Sequence, residues 1–212
     1  MNEYHKIDTV FKRDPATRHK SLIIGDFANE AFAYLRNNTW VFTEKVDGTN
    51  IRVLFKDGRV SFGGKTDAAS IPTKLVDNLR QQFDNERKLA LFAEKFPDGV
   101  CLYGEGYGAK IQNGGNYRDD QGFVLFDVRV GKWWLRRENV EQVANEMTID
   151  IVPVIGRGTL DDMVSIVQDG FPSRWGNFVA EGIVARPEVE LTTRHGQRII
   201  TKLKHKDFGA LR

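Results

Sequence analysis

Residues 40–53 read WVFTEKVDGTNIRV, and the rest of the chain is best interpreted from this stretch. An apolar-rich run leads into Lys45, and a second run leaves through Ile51. Such runs are typical of β-strands, and the Asp47-Gly48 dipeptide between them predicts a tight hairpin turn. Because rigid backbone would flank it on both sides, Lys45 would have the small positional freedom that suits a nucleophile. Taken alone, the same stretch is more typical of a plain hairpin turn with a solvated lysine.

The size and composition of the chain indicate a globular protein. It has 212 residues, of which 41% are hydrophobic and 11% aromatic, and a formal net charge of +2. This length can bury a substantial core, and the low net charge gives no global argument for nucleic-acid binding. The sequence has neither the roughly 20 consecutive apolar residues of a membrane span nor the apolar core of a signal peptide. We therefore expect a cytoplasmic protein without a membrane partner.

The single cysteine and the basic C-terminal segment can each be interpreted either structurally or functionally. The single cysteine, Cys101, lies in an apolar stretch, which favours a buried structural thiol over a nucleophile and excludes a disulfide within the chain. Residues 186–212 are rich in Lys and Arg. This pattern is typical of a solvated face, and it also fits a wall that binds phosphates.

The remaining periodicity predicts a mixture of strands and helices. Residues 1–25 are expected to be irregular, and helices are predicted for residues 26–35 with Asp26 as N-cap, 72–96 as two helices broken near Asp84, 138–147 and 159–167. Strands are predicted for residues 59–62, 100–103, 123–128, 132–135, 178–184 and 198–204. Strands outnumber helices and are joined mostly by hairpins, which predicts an α+β fold on antiparallel β-sheets with flanking helices. Without a linker or an internal repeat, residues 1–212 are expected to form a single domain.

Two glycine-rich segments do not match the common nucleotide-binding loops. Residues 63–67 lack the glycine spacing of a Walker A loop. Residues 104–109 fit a dinucleotide fingerprint, but the residues that follow cannot form the amphipathic helix which that motif must open. Both classes of nucleotide site are therefore excluded.

Several predicted strands carry a charged residue where the pattern calls for an apolar one. These residues are Glu105, Asp127, Glu181, Lys202 and Lys204. Each one alone has an ordinary interpretation as an outward-facing side chain. Charges on apolar strands are unfavourable unless they meet partners or a ligand. Together with Lys45 they predict a polar site that is assembled from distant strands.

The order of these residues resembles the motif set of the covalent nucleotidyltransferases. Most closely, the chain resembles the RNA ligase 2 family of ATP-dependent, double-strand-type RNA ligases. The matching segments are Glu44-Lys45-Val46-Asp47-Gly48-Thr49-Asn50, Tyr103-Gly104-Glu105, Ile111-Gln112, Phe126-Asp127, Ile155-Gly156-Arg157-Gly158, Ala180-Glu181-Gly182 and Lys202-Leu203-Lys204. The resemblance covers nearly the whole chain and implies a nucleotidyltransferase (ligase adenylation) domain, here expected without a C-terminal accessory domain.

The resemblance also implies the cofactors and the residues that act on them. ATP and Mg²⁺ or Mn²⁺ are the expected cofactors, with Lys45 as the nucleophile and Glu181 as the metal-associated carboxylate. Lys202 and Lys204 are expected to contact the α-phosphate. Crowding by these two lysines and the metal, together with partial burial, is expected to favour the neutral amine of Lys45.

A nucleotide pocket is implied in the same way. Its expected residues, besides Lys202 and Lys204, are Glu44, Asn50, Lys65, Glu105, Phe126 and Asp127. Glu105 is expected to accept hydrogen bonds from the ribose hydroxyls. Phe126 is expected to stack on adenine, with Asp127 supporting the site.

The implied reaction has three steps. Lys45 takes AMP and releases pyrophosphate, AMP moves to a 5′-phosphate end of RNA, and a 3′-hydroxyl then displaces AMP to seal the strand. The expected partners are RNA ends or nicked duplex nucleic acid, with an accessory protein in place of the C-terminal domain. The resemblance further suggests RNA repair by a phage-like enzyme in the host cytoplasm.

Two positions keep other functions open. Asp47 stands where the family often has histidine and resembles DNA ligases, whereas Asn50 stands where DNA ligases usually have arginine. A minimal ATP-dependent DNA ligase acting on nicked duplex is therefore the nearest alternative. A GTP-dependent capping enzyme and a non-catalytic RNA-end-binding module are the others, and the presence of both Lys45 and Glu181 speaks against the latter.

Overall fold

The computed structural model describes residues 3–211 and divides into two compact units. Unit 1 holds residues 3–5 and 47–152, and unit 2 holds residues 6–46 and 153–211. The chain therefore starts in unit 1, passes to unit 2, returns to unit 1 and ends in unit 2. The expected single domain over residues 1–212 stays a prediction.

Within the described residues, strands outnumber α-helices. The strands are β1 (Asp8–Thr9), β2 (Phe11–Arg13), β3 (Leu22–Phe27), β4 (Trp40–Lys45), β5 (Thr49–Lys56), β6 (Arg59–Gly63), β7 (Val100–Gly108), β8 (Gln121–Val130), β9 (Trp133–Trp134), β10 (Val154–Gly158), β11 (Gly182–Pro187) and β12 (Thr201–Lys204). The α-helices are α1 (Glu30–Tyr34), α2 (Thr73–Phe83), α3 (Glu86–Lys95), α4 (Arg137–Met147) and α5 (Leu160–Asp169). Short 3₁₀ turns cover Pro15–Thr17, Gly114–Asn116 and His205–Leu211.

The strands form one five-stranded sheet in each unit. In unit 1 the order is β6-β5-β7-β8-β9, and every pair is antiparallel. In unit 2 the order is β1-β12-β11-β4-β10, where only the β1–β12 pair is parallel, and β2 pairs with β3 separately. The predicted α+β fold on antiparallel sheets is confirmed.

The local signals in unit 1 explain its hairpin and helices. Asp57 and Gly58 both take left-handed backbone angles, with φ of 51° and 71°, as a tight β-hairpin turn between β5 and β6 requires. The predicted break between α2 and α3 is found at Asn85, whose side chain caps α3 by accepting from the Lys88 backbone amide. The apolar face of α2 is buried in a core that includes Phe83.

A separate core fills unit 2. It packs the buried side chains of β4 and β11 against α5 and includes Trp40, Phe42 and Ile183. The predicted start of α5 is confirmed, because Thr159 and Asp162 form a reciprocal capping box at its first turn. Each unit thus has its own apolar core beneath its sheet.

The hairpin predicted after Lys45 is wrong. β4 ends at Lys45 and β5 begins at Thr49, but β4 pairs with β10 and β11, whereas β5 pairs with β6 and β7. Gly48 allows its backbone to lie close to that of Gly106, since a Cβ at Gly48 would lie 2.3 Å from the carbonyl oxygen of Gly106. Residues 46–48 therefore carry the chain from one sheet to the other.

The prediction of an irregular N-terminal segment is also wrong. Residues 8–27 contain three strands, and Asp26 lies in β3, where its carboxylate accepts from Lys12 at 2.8 Å. Helix α1 is capped instead by Asn29, which accepts from the backbone amide of Phe32. Pairing between β2 and β3 overrides the local helix signal at Asp26. The last two strands begin later than predicted, at Gly182 and Thr201.

Two compositional expectations can be compared with the structure. Cys101 is buried, and burial raises the pKa of its thiol, as expected for a structural cysteine. None of the helices in residues 3–211 combines the length and the hydropathy that crossing a bilayer would require.

Candidate functional site

One face of the unit 2 sheet carries the predicted lysines. Alternate residues of β4 and β12, among them Phe42 and Leu203, are buried in the core. Because side chains of a strand alternate between its two faces, Lys45, Lys202 and Lys204 lie on the opposite face, where they are half-buried. The sheet thus presents three amines from two strands on its less buried side.

The strand register brings two of these amines to one carboxylate. Gly182 of β11 is aligned with Lys45 on one side and with Lys204 on the other. The carboxylate of the preceding residue, Glu181, lies 2.6 Å from each of the two Nζ atoms. We call Lys45, Glu181 and Lys204 the lysine row. Its side chains are only 18%, 8% and 23% exposed, so solvent screens their charges less than on an open surface.

Gly182 makes this register sterically possible. A Cβ at Gly182 would lie 2.0 Å from the carbonyl oxygen of Leu203 and 2.8 Å from the Cα of Lys204. Any side chain would therefore force β11 away from β12. The glycine of the Ala180-Glu181-Gly182 motif holds Lys204 at its distance from Glu181.

The two oxygens of Glu181 have different partners. Oε2 accepts a hydrogen bond from Lys45, whereas Oε1 is close to the Lys204 amine but receives no aligned hydrogen bond from any residue in the described part of the chain. Residues 3–211 contain no group of three or more His, Cys, Asp or Glu arranged to hold a metal. Mg²⁺ often binds through one or two carboxylates plus the phosphate oxygens of a nucleotide. Glu181 fits that kind of site.

Glu44 lies on the buried face of β4, directed away from the amine of Lys45. Its carboxylate accepts from the hydroxyl of Ser173 at 2.6 Å and from the backbone amide of Arg174 at 2.8 Å. Burial raises the pKa of this carboxyl, and these two hydrogen bonds oppose the rise. Its place in a nucleotide pocket stays a prediction. The anchoring of the Ser173 loop was not predicted, because it joins residues 129 positions apart.

In unit 1, the structure brings Asn50 and Glu105 together. They are directly aligned on β5 and β7, and the Asn50 amide donates to Glu105 Oε2 at 3.1 Å. Glu105 is buried, and a Cβ on Gly48 would lie 2.8 Å from its Cγ. The motif residues Gly48, Asn50 and Glu105 therefore form one packed group.

Phe126 and Asp127 lie at an irregularity in the pairing of β7 with β8. Asp127 is fully buried and accepts from the hydroxyl of Tyr4 at 2.8 Å and from the backbone amide of Val128 at 3.2 Å. Phe126 is half-buried, and its ring meets that of Tyr4 edge-on at 5.1 Å. Sequence reasoning missed Tyr4, since nothing in its local pattern marks a contact so far along the chain.

Lys65 is exposed in the loop after β6. The buried guanidinium of Arg52 anchors this loop, donating to the carbonyl oxygen of Gly64 at 2.7 Å and to Asp67 at 2.9 Å. Arg52 is a charged residue inside the Ile51–Val53 strand pattern, and this signal in the sequence was not used. The role of Lys65 itself stays a prediction.

Comparison with protein-family models gives a match to the family described as RNA ligase over residues 38–204. This range includes every predicted site residue from Glu44 to Lys204. Comparison with curated proteins gives no match.

Solved structures of the Naegleria gruberi RNA ligase share the fold. A mutant in its apo form is 17% identical, with a TM-score of 0.64 over 86% of this chain and 53% of that one. A mutant with ATP and Mn is 19% identical, with a TM-score of 0.62 over 84% and 54%. A mutant with AMP and Mn is 16% identical, with a TM-score of 0.68 over 100% and 58%.

The chain therefore spans little more than half the length of these structures, and at such identities the similarity establishes the fold alone. The family model gives the stronger statement, because it matches well over half of the sequence. This chain belongs to the RNA ligase family.

Proposed function

We propose that the chain is an ATP-dependent RNA ligase that works through a covalent lysyl-AMP at Lys45. The observation that supports this most is the lysine row, in which one buried carboxylate lies 2.6 Å from two amines on β4 and β12, the strands that flank β11. Family membership supports RNA as the substrate class. The related structures solved with ATP and Mn, or with AMP and Mn, support the choice of nucleotide and metal.

In the first step the Lys45 amine attacks the α-phosphate of ATP. An N–P bond forms, the bond from the α-phosphorus to the bridging oxygen breaks, and pyrophosphate leaves. The amine must lose a proton to react, and Glu181 Oε2, at 2.6 Å, is in position to hold it. We assign to Lys204, with Lys202 on the same sheet face, the stabilisation of negative charge on the phosphate.

A divalent metal, Mg²⁺ or Mn²⁺, would be held by Glu181 together with phosphate oxygens of the nucleotide. When bound, it neutralises charge on the phosphates. We assign this role to Glu181 Oε1, which lies 2.6 Å from the Lys204 amine.

The nucleoside contacts are proposed from the family resemblance. We assign Glu105, already oriented by Asn50, to the ribose hydroxyls, and Phe126 to adenine with Asp127 in support. Lys65 and Glu44 complete the assignment by resemblance. AMP then passes to a 5′-phosphate, and a 3′-hydroxyl displaces it, with nicked duplex as the preferred arrangement of the RNA ends.

The decisive experiment follows label from the α-phosphate of ATP into protein. We expect the wild type to become labelled and Lys45→Ala to abolish labelling while keeping the fold. Lys56→Ala, which removes an exposed lysine outside the proposed site, should label normally. Labelling that persists in Lys45→Ala would contradict the choice of nucleophile, and a wild type that never labels would favour a non-catalytic RNA-end-binding module.

The DNA ligase alternative rests on Asp47. Its carboxylate accepts from the Asn113 amide at 2.9 Å, and its backbone amide donates to the Tyr117 hydroxyl at 3.2 Å. Side-by-side sealing of nicked duplexes with RNA or DNA at the 3′-hydroxyl strand separates the two functions. Faster sealing of the RNA strand is expected, and a clear preference for the all-DNA nick would replace the proposal with the alternative.

A further inference from the structure

The first described residues of the chain pack onto the part of unit 1 that carries Phe126 and Asp127. Residues 3–5 belong to unit 1, whereas the residues that follow them belong to unit 2. The segment is therefore separated in sequence from the sheet it contacts, and the Tyr4–Asp127 hydrogen bond spans 123 positions. Such a long-range contact is entropically unfavourable to form unless other contacts support it.

Those supporting contacts come from a group of aromatic rings. The ring of Tyr4 lies 5.2 Å from that of Tyr103, 5.1 Å from that of Phe126 and 5.5 Å from that of Trp134, measured between centroids. Tyr103 and Trp134 also contact one another at 5.0 Å. Tilted and edge-on arrangements at these distances are the favourable ones for aromatic side chains. Tyr4 thus touches three rings from three strands.

The hydroxyl of Tyr4 has a separate role. Asp127 has no exposed surface, and a buried carboxylate needs donors to offset its lost hydration. The Tyr4 hydroxyl supplies one of these donors at 2.8 Å. The same side chain therefore holds Asp127 by its hydroxyl and contacts Phe126 by its ring.

We propose that Tyr4 is a positioning residue for the adenine end of the nucleotide site. It fixes the Phe126 ring and the Asp127 carboxylate in the orientation that receives the base. This inference rests on the proposed function, in which Phe126 stacks on adenine. Tyr4 itself acts through its two neighbours and is not assigned a contact with ATP.

A residue of this kind affects nucleotide binding more than the chemical step. Without Tyr4, the Phe126 ring is no longer held in place and its stacking on adenine is lost. This stacking is the same in the ground state and in the transition state, so the KM for ATP rises while kcat is retained. A residue that only stabilises the fold would instead lower the amount of active protein and leave the KM unchanged.

The test measures the rate of lysyl-AMP formation against ATP concentration in the full chain. We expect Tyr4→Ala to raise the KM for ATP about tenfold, with kcat within about twofold of the wild type. Tyr4→Phe keeps the ring and removes the hydroxyl, so a rise of about threefold is expected. Tyr34→Ala, a tyrosine that is 86% exposed on α1, is the matched control and should leave both constants unchanged.

The outcomes separate this inference from the function on which it rests. Thermal unfolding of each variant shows whether it is folded, and Tyr4→Phe covers the case in which Tyr4→Ala is not. An unchanged KM for ATP in a folded Tyr4→Ala variant overturns the inference. Labelling of the wild type in the same experiment would still support the proposed function. A fall in kcat alone also overturns it. A wild type that forms no lysyl-AMP contradicts the proposed function and this inference together.

Discussion

The two units hold their buried carboxylates in different ways. In unit 2, Glu181 lies between the ammonium groups of Lys45 and Lys204, at 2.6 Å from each. In unit 1, the partners of the buried carboxylates include neutral groups, since the Asn50 amide donates to Glu105 and the Tyr4 hydroxyl donates to Asp127. Full charges match phosphates and metal ions, whereas neutral donors and aromatic rings match a nucleoside.

This difference predicts unequal effects of mutation. Removing one member of a close ion pair leaves its partner charge uncompensated, whereas removing one neutral hydrogen bond has a smaller effect. Variants in the lysine row should therefore change the chemical step, and variants in unit 1 should change nucleotide binding.

The largest effect is expected for Glu181→Gln. This change removes the negative charge that lies between the two lysines, and with it the proposed proton acceptor. The rate of lysyl-AMP formation should therefore fall about 100-fold or more. Labelling from the α-phosphate of ATP at saturating nucleotide measures this rate. Glu188→Gln removes a carboxylate that pairs with Arg157 on an exposed surface and should have no effect. A rate within about twofold of the wild type in Glu181→Gln would show that the row does not act in the chemical step.

The next effect tests the register that builds the row. In Gly182→Ala the added methyl would clash with the Leu203 carbonyl oxygen, so we expect a loss of about 1–3 kcal/mol in the free energy of unfolding. Denaturant unfolding measures the loss. Gly115→Ala is the control, because a Cβ there meets nothing within 4 Å. Equal stability of the two variants would mean that β11 and β12 tolerate a side chain at their contact.

A smaller effect is expected for Glu105→Ala in unit 1. The KM for ATP should rise about tenfold with kcat largely kept, because a hydrogen bond to the ribose is lost. Comparing ATP with 2′-deoxy-ATP sharpens the test, since the variant should no longer distinguish them. If the variant still discriminates against the deoxynucleotide as strongly as the wild type, Glu105 does not contact the ribose.

The smallest effect concerns Glu44 and pH. Burial raises the pKa of Glu44 above its ordinary value of 4.5, so the folded state holds this proton more tightly than the unfolded chain does. The resulting stability is complete below 4.5 and is lost as pH rises through the folded-state pKa. Relative to Glu44→Gln, the wild type should therefore lose free energy of unfolding across that window. Unfolding curves of both proteins at a series of pH values measure it, and a constant difference would contradict the prediction.

The sequence predicted the members of the lysine row better than the strand pairing that assembles it. Charged residues on apolar strands, taken with the family resemblance, pointed to Lys45, Glu181 and Lys204, which lie together in the structure. The predicted hairpin was wrong because short-range alternation shows that a strand exists and does not show its partner. Lys45 finds its carboxylate 136 positions away, where no local signal operates.

Two of the residues that sequence reasoning missed, Tyr4 and Ser173, are uncharged, so no charge pattern marks them. Tyr4 lies in an N-terminal segment expected to be irregular, and Ser173 lies in a loop. Their partners, Asp127 and Glu44, were singled out, but a buried carboxylate does not reveal which donor it will find. Tertiary packing decides that choice, and the structure was needed to show it.

The interleaving of the two units gives an order to their assembly during translation. Residues 47–152, nearly all of unit 1, leave the ribosome as one continuous segment, whereas the unit 2 sheet needs β12, which lies between β1 and β11. That strand ends at Lys204, so Lys45 is synthesised long before Glu181 and Lys204 can join it. A nascent or prematurely released chain therefore carries Lys45, the proposed nucleophile, without Glu181 and Lys204, and we expect it to remain inert toward ATP until the final strand is in place.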